Sequence, residues 1–265
     1  MITGFIGAGN MGGALAKAAA LSNCSDLLIS DHDELKAASL AEAVGGRKSD
    51  NIEIAETADV IFLGVKPQGL SSLADEIAET LKTRQTKALL VTMAAGITME
   101  TVLRIFGECP IIRIMPNTPA SIGQGLILYC HKNADEKSIE MFKQLCSPAG
   151  LLEPIDESLI DAGCAVSGCG PAFVYMFIES LAEGGIKAGL PKETALKLAA
   201  KTVMGAGAMV LESGKDPESL CNAVCSPNGS TIEGVNFLKS TDFSEEIINT
   251  VLTSYRRTVE LGKGK

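Results

Sequence analysis

The opening of the chain leaves little choice of fold. Ile2-Thr3-Gly4-Phe5-Ile6 is an apolar run of strand length. Gly7-Ala8-Gly9-Asn10-Met11-Gly12 follows without a spacer, and Ala14–Leu21 then reads as a helix. Each glycine has its own task. Gly7 permits the tight turn out of the strand. Gly9 has no Cβ, so a pyrophosphate can come up to the backbone. Gly12 lets the helix lie close against the strand. The helix N-terminus adds free N–H groups and a partial positive charge. The pattern predicts a dinucleotide site; the alternative is a Gly-rich turn with no ligand.

Beyond this turn the first half alternates strand and helix signals. Asp26–Ser30 reads as a strand and Asp33–Val44 as a helix stopped by Gly45-Gly46. Val60–Val65 reads as a fully buried strand, with Pro67 in the first turn of the next helix. Ala88–Met93 is a strand, and Met99–Phe106 a helix with Thr98 as N-cap and Gly107 after it. Ile111–Met115 and Leu126–Cys130 complete the strands. The alternation predicts an α/β fold, a doubly wound parallel sheet with right-handed crossovers over residues 1–155.

Residues 156–265 read as an all-helical domain. Helices are expected at Glu157–Ala165, Pro171–Ala188, from Pro191 through Met209, from Pro217 with Asp216 as N-cap, and at Thr231–Lys239 and Ser244–Leu261. The Pro171–Ala188 segment is apolar around most of its surface, through Phe173, Val174, Met176, Phe177, Ile178 and Leu181. A helix apolar all round is covered on all sides. In so small a domain that points to a second subunit, the alternative being one ordinary bundle.

Ligands of doubly wound sheets bind beyond the carboxyl ends of the strands. The segments expected there are Gly7–Met11, Asp31–His32, Gly64–Pro67, Ala94–Ile97 and Met115–Pro119, all small, polar or rich in Gly and Pro. Asp31 stands about 20 residues past the glycine turn, where a carboxylate can accept from both adenine-ribose hydroxyls and so favour NADH. Its alternative is a helix N-cap. Asn51 is a neutral contact for the adenosine end. Asn117 and Thr118 are placed to hold a nicotinamide carboxamide or ribose, or else to form a rigid turn. Val166-Ser167-Gly168-Cys169-Gly170-Pro171-Ala172 reads as a hinge or a tight start of a helix. In Ser226-Pro227-Asn228-Gly229-Ser230-Thr231, Ser230 and Glu233 fit a capping box, while the same N–H groups suit a substrate carboxylate. The Thr231 hydroxyl can meet a reacting nitrogen or oxygen.

Hydride transfer to a carbonyl calls for a proton donor. The chain has only two histidines, His32 and His131, neither in a suitable place. A cyclic iminium, which carries its own proton, needs none. The net charge of −9 argues against nucleic acid or an anionic membrane as partner. No apolar run approaches the roughly 20 residues of a membrane span, and no signal peptide is apparent. The eight cysteines lie in apolar or motif contexts, which favours reduced thiols, a cytoplasmic location and no metal site.

The segments GFIGAGNMGGAL, VIFLGVKP, AAGIT, RIMPNTPA, VSGCGPAFVYMFIE and VCSPNGSTIEGVNFLK together resemble Δ1-pyrroline-5-carboxylate reductase, in order from Met1 to about Leu261. The resemblance implies an N-terminal Rossmann domain and an all-helical C-terminal dimerisation domain, assembled as dimers and often decamers. It implies NAD(P)H-dependent reduction of 1-pyrroline-5-carboxylate to L-proline, the last step of proline biosynthesis, in a site shared between subunits. Carried over by motif, Ile6, Gly7, Ala8, Gly9, Asn10 and Met11 would line NADPH or NADH, with Gly64, Val65, Lys66 and Pro67. Asn51 would stand at the ribose, and Ala94, Ala95 and Gly96 near the nicotinamide. Glu157, Gly229, Ser230 and Thr231 would meet the substrate. Thr231 would act in catalysis, with Ser226 supporting the loop. Cys169 and Asn228 depart from the family's usual Ser and Gly. The remaining alternatives are another imine or 3-hydroxyacid-type reductase and a non-catalytic dinucleotide sensor. The hydroxyacid type is expected to carry a Lys at a domain-two helix start, whereas the first Lys after SGCGPAF is Lys187.

Overall fold

The computed structural model describes residues 1–23 and 26–262. Its strands are β1 (Ile2–Ile6), β2 (Asp26–Ser30), β3 (Arg47–Lys48), β4 (Val60–Leu63), β5 (Leu89–Thr92), β6 (Ile111–Pro116), β7 (Gly125–Lys132) and β8 (Gly150–Pro154). They form one 8-stranded sheet in the order β3-β2-β1-β4-β5-β6-β7-β8. Winding proceeds outward from β1 to β3 and then resumes on the other side at β4. That reversal opens a crevice at the carboxyl ends of β1 and β4. The pairings from β3 through β6 are parallel. The expected all-parallel sheet is corrected at one edge, where β7 runs antiparallel to β6 and β8 follows β7. Only Asn117–Gln124 joins β6 to β7, which is too short for a parallel crossover.

Both faces of the sheet are covered, so its strands are continuous apolar runs. Phe5, Val60 and Phe62 face one core with α1 (Asn10–Leu21), α2 (Glu34–Ala43) and later α6 (Glu136–Cys146). Ile6, Ile61 and Leu63 face the other with α3 (Asn51–Thr57), α4 (Leu70–Thr83) and α5 (Met99–Phe106). Phe5 stacks on Phe62 at 4.5 Å between ring centroids. Four elements went unread in the sequence. The short β3, α3 and the edge strand β8 have too few apolar positions to show a period. The fourth, α6, does carry one, through Phe142, Leu145 and Cys146 at helical spacing.

Compactness divides the chain into Met1–Cys169 with Ser254–Lys265, and Gly170–Thr253. The expected boundary was 155/156. The difference arises because Glu157–Gly168, including α7 (Ile160–Gly163), packs with the sheet unit: Ile160 and Ala165 are fully buried. The expected helix there widens into a π-type turn at Cys164–Gly168, closed by Cys169 N–H donating to Cys164 C=O at 2.9 Å. The backbone through Val166–Ala172 is helical apart from a bend at Cys169, and α8 starts at Gly170, so the motif contains the start of a helix.

The second unit holds α8 (Gly170–Lys187), α9 (Lys192–Glu212), α10 (Pro217–Val224), α11 (Ser230–Lys239) and the first part of α12 (Phe243–Gly262). Its buried cluster consists of Ala182, Ala195 and Ala199. Leu211, Phe237 and Met176 are 77%, 69% and 68% exposed. Two helical stretches, Glu157–Lys187 and Lys192–Glu212, are long and apolar enough to cross a membrane by length and composition alone. This corrects the expectation that no segment qualifies. Scattered charges interrupt the apolar runs in the sequence, yet the mean hydropathy of each stretch stays high.

Candidate active site

The glycine turn is built as its spacing requires. Gly7 has φ +112°, and a Cβ there would lie 2.6 Å from Gly64 C=O. A Cβ on Gly12 would collide with the Gly7 carbonyl. Gly9 has nothing within 4 Å of its would-be Cβ. Gly7 and Gly12 therefore answer to packing, while the space at Gly9 is open to a ligand. Gly9 is also the N-cap of α1 and makes no side-chain cap, so the first N–H groups of α1 are available to an anion. These features fit a dinucleotide pyrophosphate.

A cavity of about 730 Å³ opens over this turn, lined by Ala8, Gly9, Asn10 and Met11 together with Lys17 and Lys36. Thr118 also lines it, while the other expected cofactor residues lie outside. Gly64 abuts Gly7, which brings Gly64–Pro67 beside the turn at the ends of β1 and β4. Ala94 is buried after β5, and Gly96, with φ +73°, packs backbone to backbone on Gly262 at the end of α12.

Three expected contacts are engaged with other residues of the protein. Asp31 is neither an outward ribose acceptor nor the α2 cap. Its Oδ2 accepts from Ala8 N–H at 2.7 Å and its Oδ1 from Asp33 N–H at 2.9 Å. Asp33 is the cap, accepting from Leu35 and Lys36 N–H. Asn117 ties the loop internally: Nδ2 donates to Ser167 C=O at 3.0 Å and Oδ1 accepts from Leu126 N–H at 2.9 Å. That geometry fits the rigid turn better than a nicotinamide contact. Asn51 accepts from the Ser30 hydroxyl at 2.6 Å and donates to Glu76 at 2.8 Å.

Glu157 sits in an ion network that the sequence reading missed. Arg113, on β6, has a side chain only 4% exposed. Its Nη1 stands 3.2 Å from Glu157 Oε1 and its Nη2 3.3 Å from Asp161 Oδ1. Arg113 Nε is buried without a hydrogen-bond partner among the described residues. Glu157 Oε1 also accepts from Met99 N–H at 2.7 Å, placing a carboxylate at the start of α5. The signal was present in IIRIMP, where an Arg inside a buried strand demands a partner. Its distance in sequence from Glu157 concealed the pair.

Within the helical unit, Asn228 has φ +57°, a backbone state that Asn tolerates. Gly229 N–H donates to Ser226 C=O at 3.0 Å, and a Cβ on Gly229 would collide with the Ser226 hydroxyl. Ser226 thus shapes the loop. The N-cap of α11 is Gly229 and not Ser230, and no side chain caps it. The expected Ser230–Glu233 capping box is therefore corrected. Ser230 is already helical, so its hydroxyl cannot take the Ncap role. Ser230 and Thr231 are both exposed, and the first N–H groups of α11 are left for another acceptor.

An open α/β sheet whose first strand ends in such a turn, followed by a helical unit, defines the class of nucleotide-dependent oxidoreductases. Residues 2–96 match the family described as NADP oxidoreductase coenzyme F420-dependent, and residues 157–261 that described as pyrroline-5-carboxylate reductase dimerisation. The pyrroline-5-carboxylate reductase of Pisum sativum is 37% identical over 97% of this chain and 95% of its own. The solved pyrroline carboxylate reductase of Plasmodium falciparum, with NADP bound, is 30% identical with a TM-score of 0.83, covering 99% of this chain and 98% of that one. The Coxiella burnetii pyrroline-5-carboxylate reductase is 29% identical with a TM-score of 0.89, covering 98% and 97%. The chain belongs to the pyrroline-5-carboxylate reductase family.

Proposed function

We propose that this chain reduces the C=N bond of 1-pyrroline-5-carboxylate to L-proline, with NADPH or NADH as reductant. The observation that carries the reading is the uncapped start of α11 after Gly229, beside the exposed Thr231. Its N–H groups bind the substrate carboxylate. The Thr231 hydroxyl hydrogen-bonds the ring nitrogen and orients the adjacent carbon. The reduced nicotinamide supplies the hydride. The open Gly9 position and the N–H groups of α1 hold the pyrophosphate and so fix the cofactor's register. The protonated imine brings the proton that the amine product retains, so catalysis is positioning and no general acid is required. This agrees with His32, 92% exposed beside Asp31, and with His131, exposed on β7.

The functional assembly is a homo-oligomer whose minimal unit is a dimer, with decamers as the higher form. Matched dimerisation residues and the apolar helices of the second unit support this. We place the reaction in the cytoplasm, where the free thiols at Cys109, Cys130 and Cys164 stay reduced. The test is a spectrophotometric assay with pyrroline-5-carboxylate and NADH or NADPH in parallel. Substrate-dependent loss of reduced cofactor with formation of proline is expected. Cofactor binding without oxidation would sink the reading.

A further inference from the structure

We propose that Asp31 is a positioning residue: it holds the glycine turn in place for the cofactor and takes no part in choosing between NADH and NADPH. The inference rests on the reading of that turn as a dinucleotide site. A carboxylate that reads the ribose must offer its oxygens outward to two hydroxyls. Here both oxygens are engaged within the protein. Oδ2 accepts from Ala8 N–H at 2.7 Å, while Oδ1 accepts from Asp33 N–H at 2.9 Å and stands 2.9 Å from His32 Nδ1. The side chain is 7% exposed.

The reason lies in how β1 and β2 part. Their parallel register ends at Ile6 opposite Ser30. The next donor, Gly7 N–H, still finds Ser30 C=O at 2.8 Å. Ala8 N–H comes one residue later, as the chain after β2 heads toward α2. The Asp31 side chain supplies the acceptor in its place. It carries the β1–β2 ladder around the corner into the turn, with a charge-assisted bond of the strong kind. Turning Asp31 outward to a ribose would strand Ala8 N–H in a part-buried place. Asp33 caps α2, so the helix cap does not claim Asp31, whose second oxygen closes the short turn to Asp33 N–H.

The experiment is calorimetric titration of wild type and Asp31→Asn with NADH and with NADPH, combined with hydrogen exchange at the Ala8 amide. Asn keeps the size but loses the charge and sets an NH2 donor against one of the two N–H groups. The expected result is that both dissociation constants weaken together, roughly ten- to hundred-fold. Their ratio stays within about threefold of wild type. The Ala8 amide is expected to be protected in the cofactor-free wild type and to exchange faster in the variant. A larger change in the ratio, or two unchanged constants, overturns the proposal. Should Asp31→Asn fail to fold, the wild-type amide decides. Protection before cofactor is added supports the role; protection that appears only with cofactor overturns it. A wild type that binds neither cofactor overturns the proposed function as well. Wild-type binding of both, with a shifted ratio in the variant, overturns this proposal alone.

Discussion

Arg113 Nη1 lies 3.2 Å from Glu157 Oε1, and that same oxygen accepts the Met99 N–H. One carboxylate oxygen thus links the middle of β6, the start of α5 and the segment leading into α7. A second carboxylate, Asp161, stands on the other arm of the guanidinium.

Removing the cation should be costly. Arg113→Leu leaves Glu157 and Asp161 close together without their counter-charge. Breaking a buried pair costs about 3–5 kcal/mol, and the partial exposure of both carboxylates reduces that here to roughly 1–3 kcal/mol. Chemical denaturation of the variant measures it. Stability equal to wild type would show that the network contributes nothing net.

The glycines of the first turn should separate by readout. Gly9→Ala meets no protein atom, so the melting temperature should hold while both cofactors bind more weakly, by about tenfold or more. Gly12→Ala drives a Cβ into the Gly7 carbonyl. It should lower the melting temperature by about 2–4 °C for each kcal/mol of strain. Equal thermal loss in both variants would refute the distinction.

Thr231→Ala should lower kcat/KM for the imino acid by roughly ten- to a hundred-fold, about 1.4–2.7 kcal/mol, with cofactor affinity unchanged. Steady-state kinetics beside a cofactor titration checks both halves. An unaltered kcat/KM would remove Thr231 from the mechanism.

Thiol reactivity should follow burial. Burial pushes Cys130 up to about 11, with the Glu157 charge adding to it, and burial likewise raises Cys164 to about 11. Cys146 is fully enclosed and raised further. The reactive form is the thiolate, so these groups are nearly inert at pH 8 and gain reactivity as pH climbs toward 11. Alkylation at pH 8 mapped by mass spectrometry tests this. Labelling of Cys130 at the rate of the unfolded chain would contradict it.

Local order was legible in the sequence wherever a single residue decides it. Thr98 and Gly107 bound α5 where expected, and Asp216 caps α10. Long apolar runs such as VIFL revealed the central strands, because burial on both faces needs no alternation. Side-chain direction was not legible. Asp31 and Asn117 occupy the expected ends of β2 and β6, yet both point into the protein. Their partners, Ala8, Ser167 and Leu126, become neighbours only once the chain has folded. The same holds for Arg113, whose partners lie far along the sequence. Ser230 misled for a local reason. The helix begins one residue earlier than the capping box requires, because Gly229 after the left-handed Asn228 already serves as cap.

Gly262 touches Gly96 backbone to backbone, and a Cβ on Gly96 would lie 2.6 Å from the Gly262 Cα. During translation, the β5 loop that this contact braces leaves the ribosome long before its support. All of α8 to α11 must be synthesised in between. The nucleotide-binding unit can therefore assemble its sheet early but is sealed late. Truncating the chain before Ser254 would leave that loop without its backing, although every residue of the glycine turn would be present.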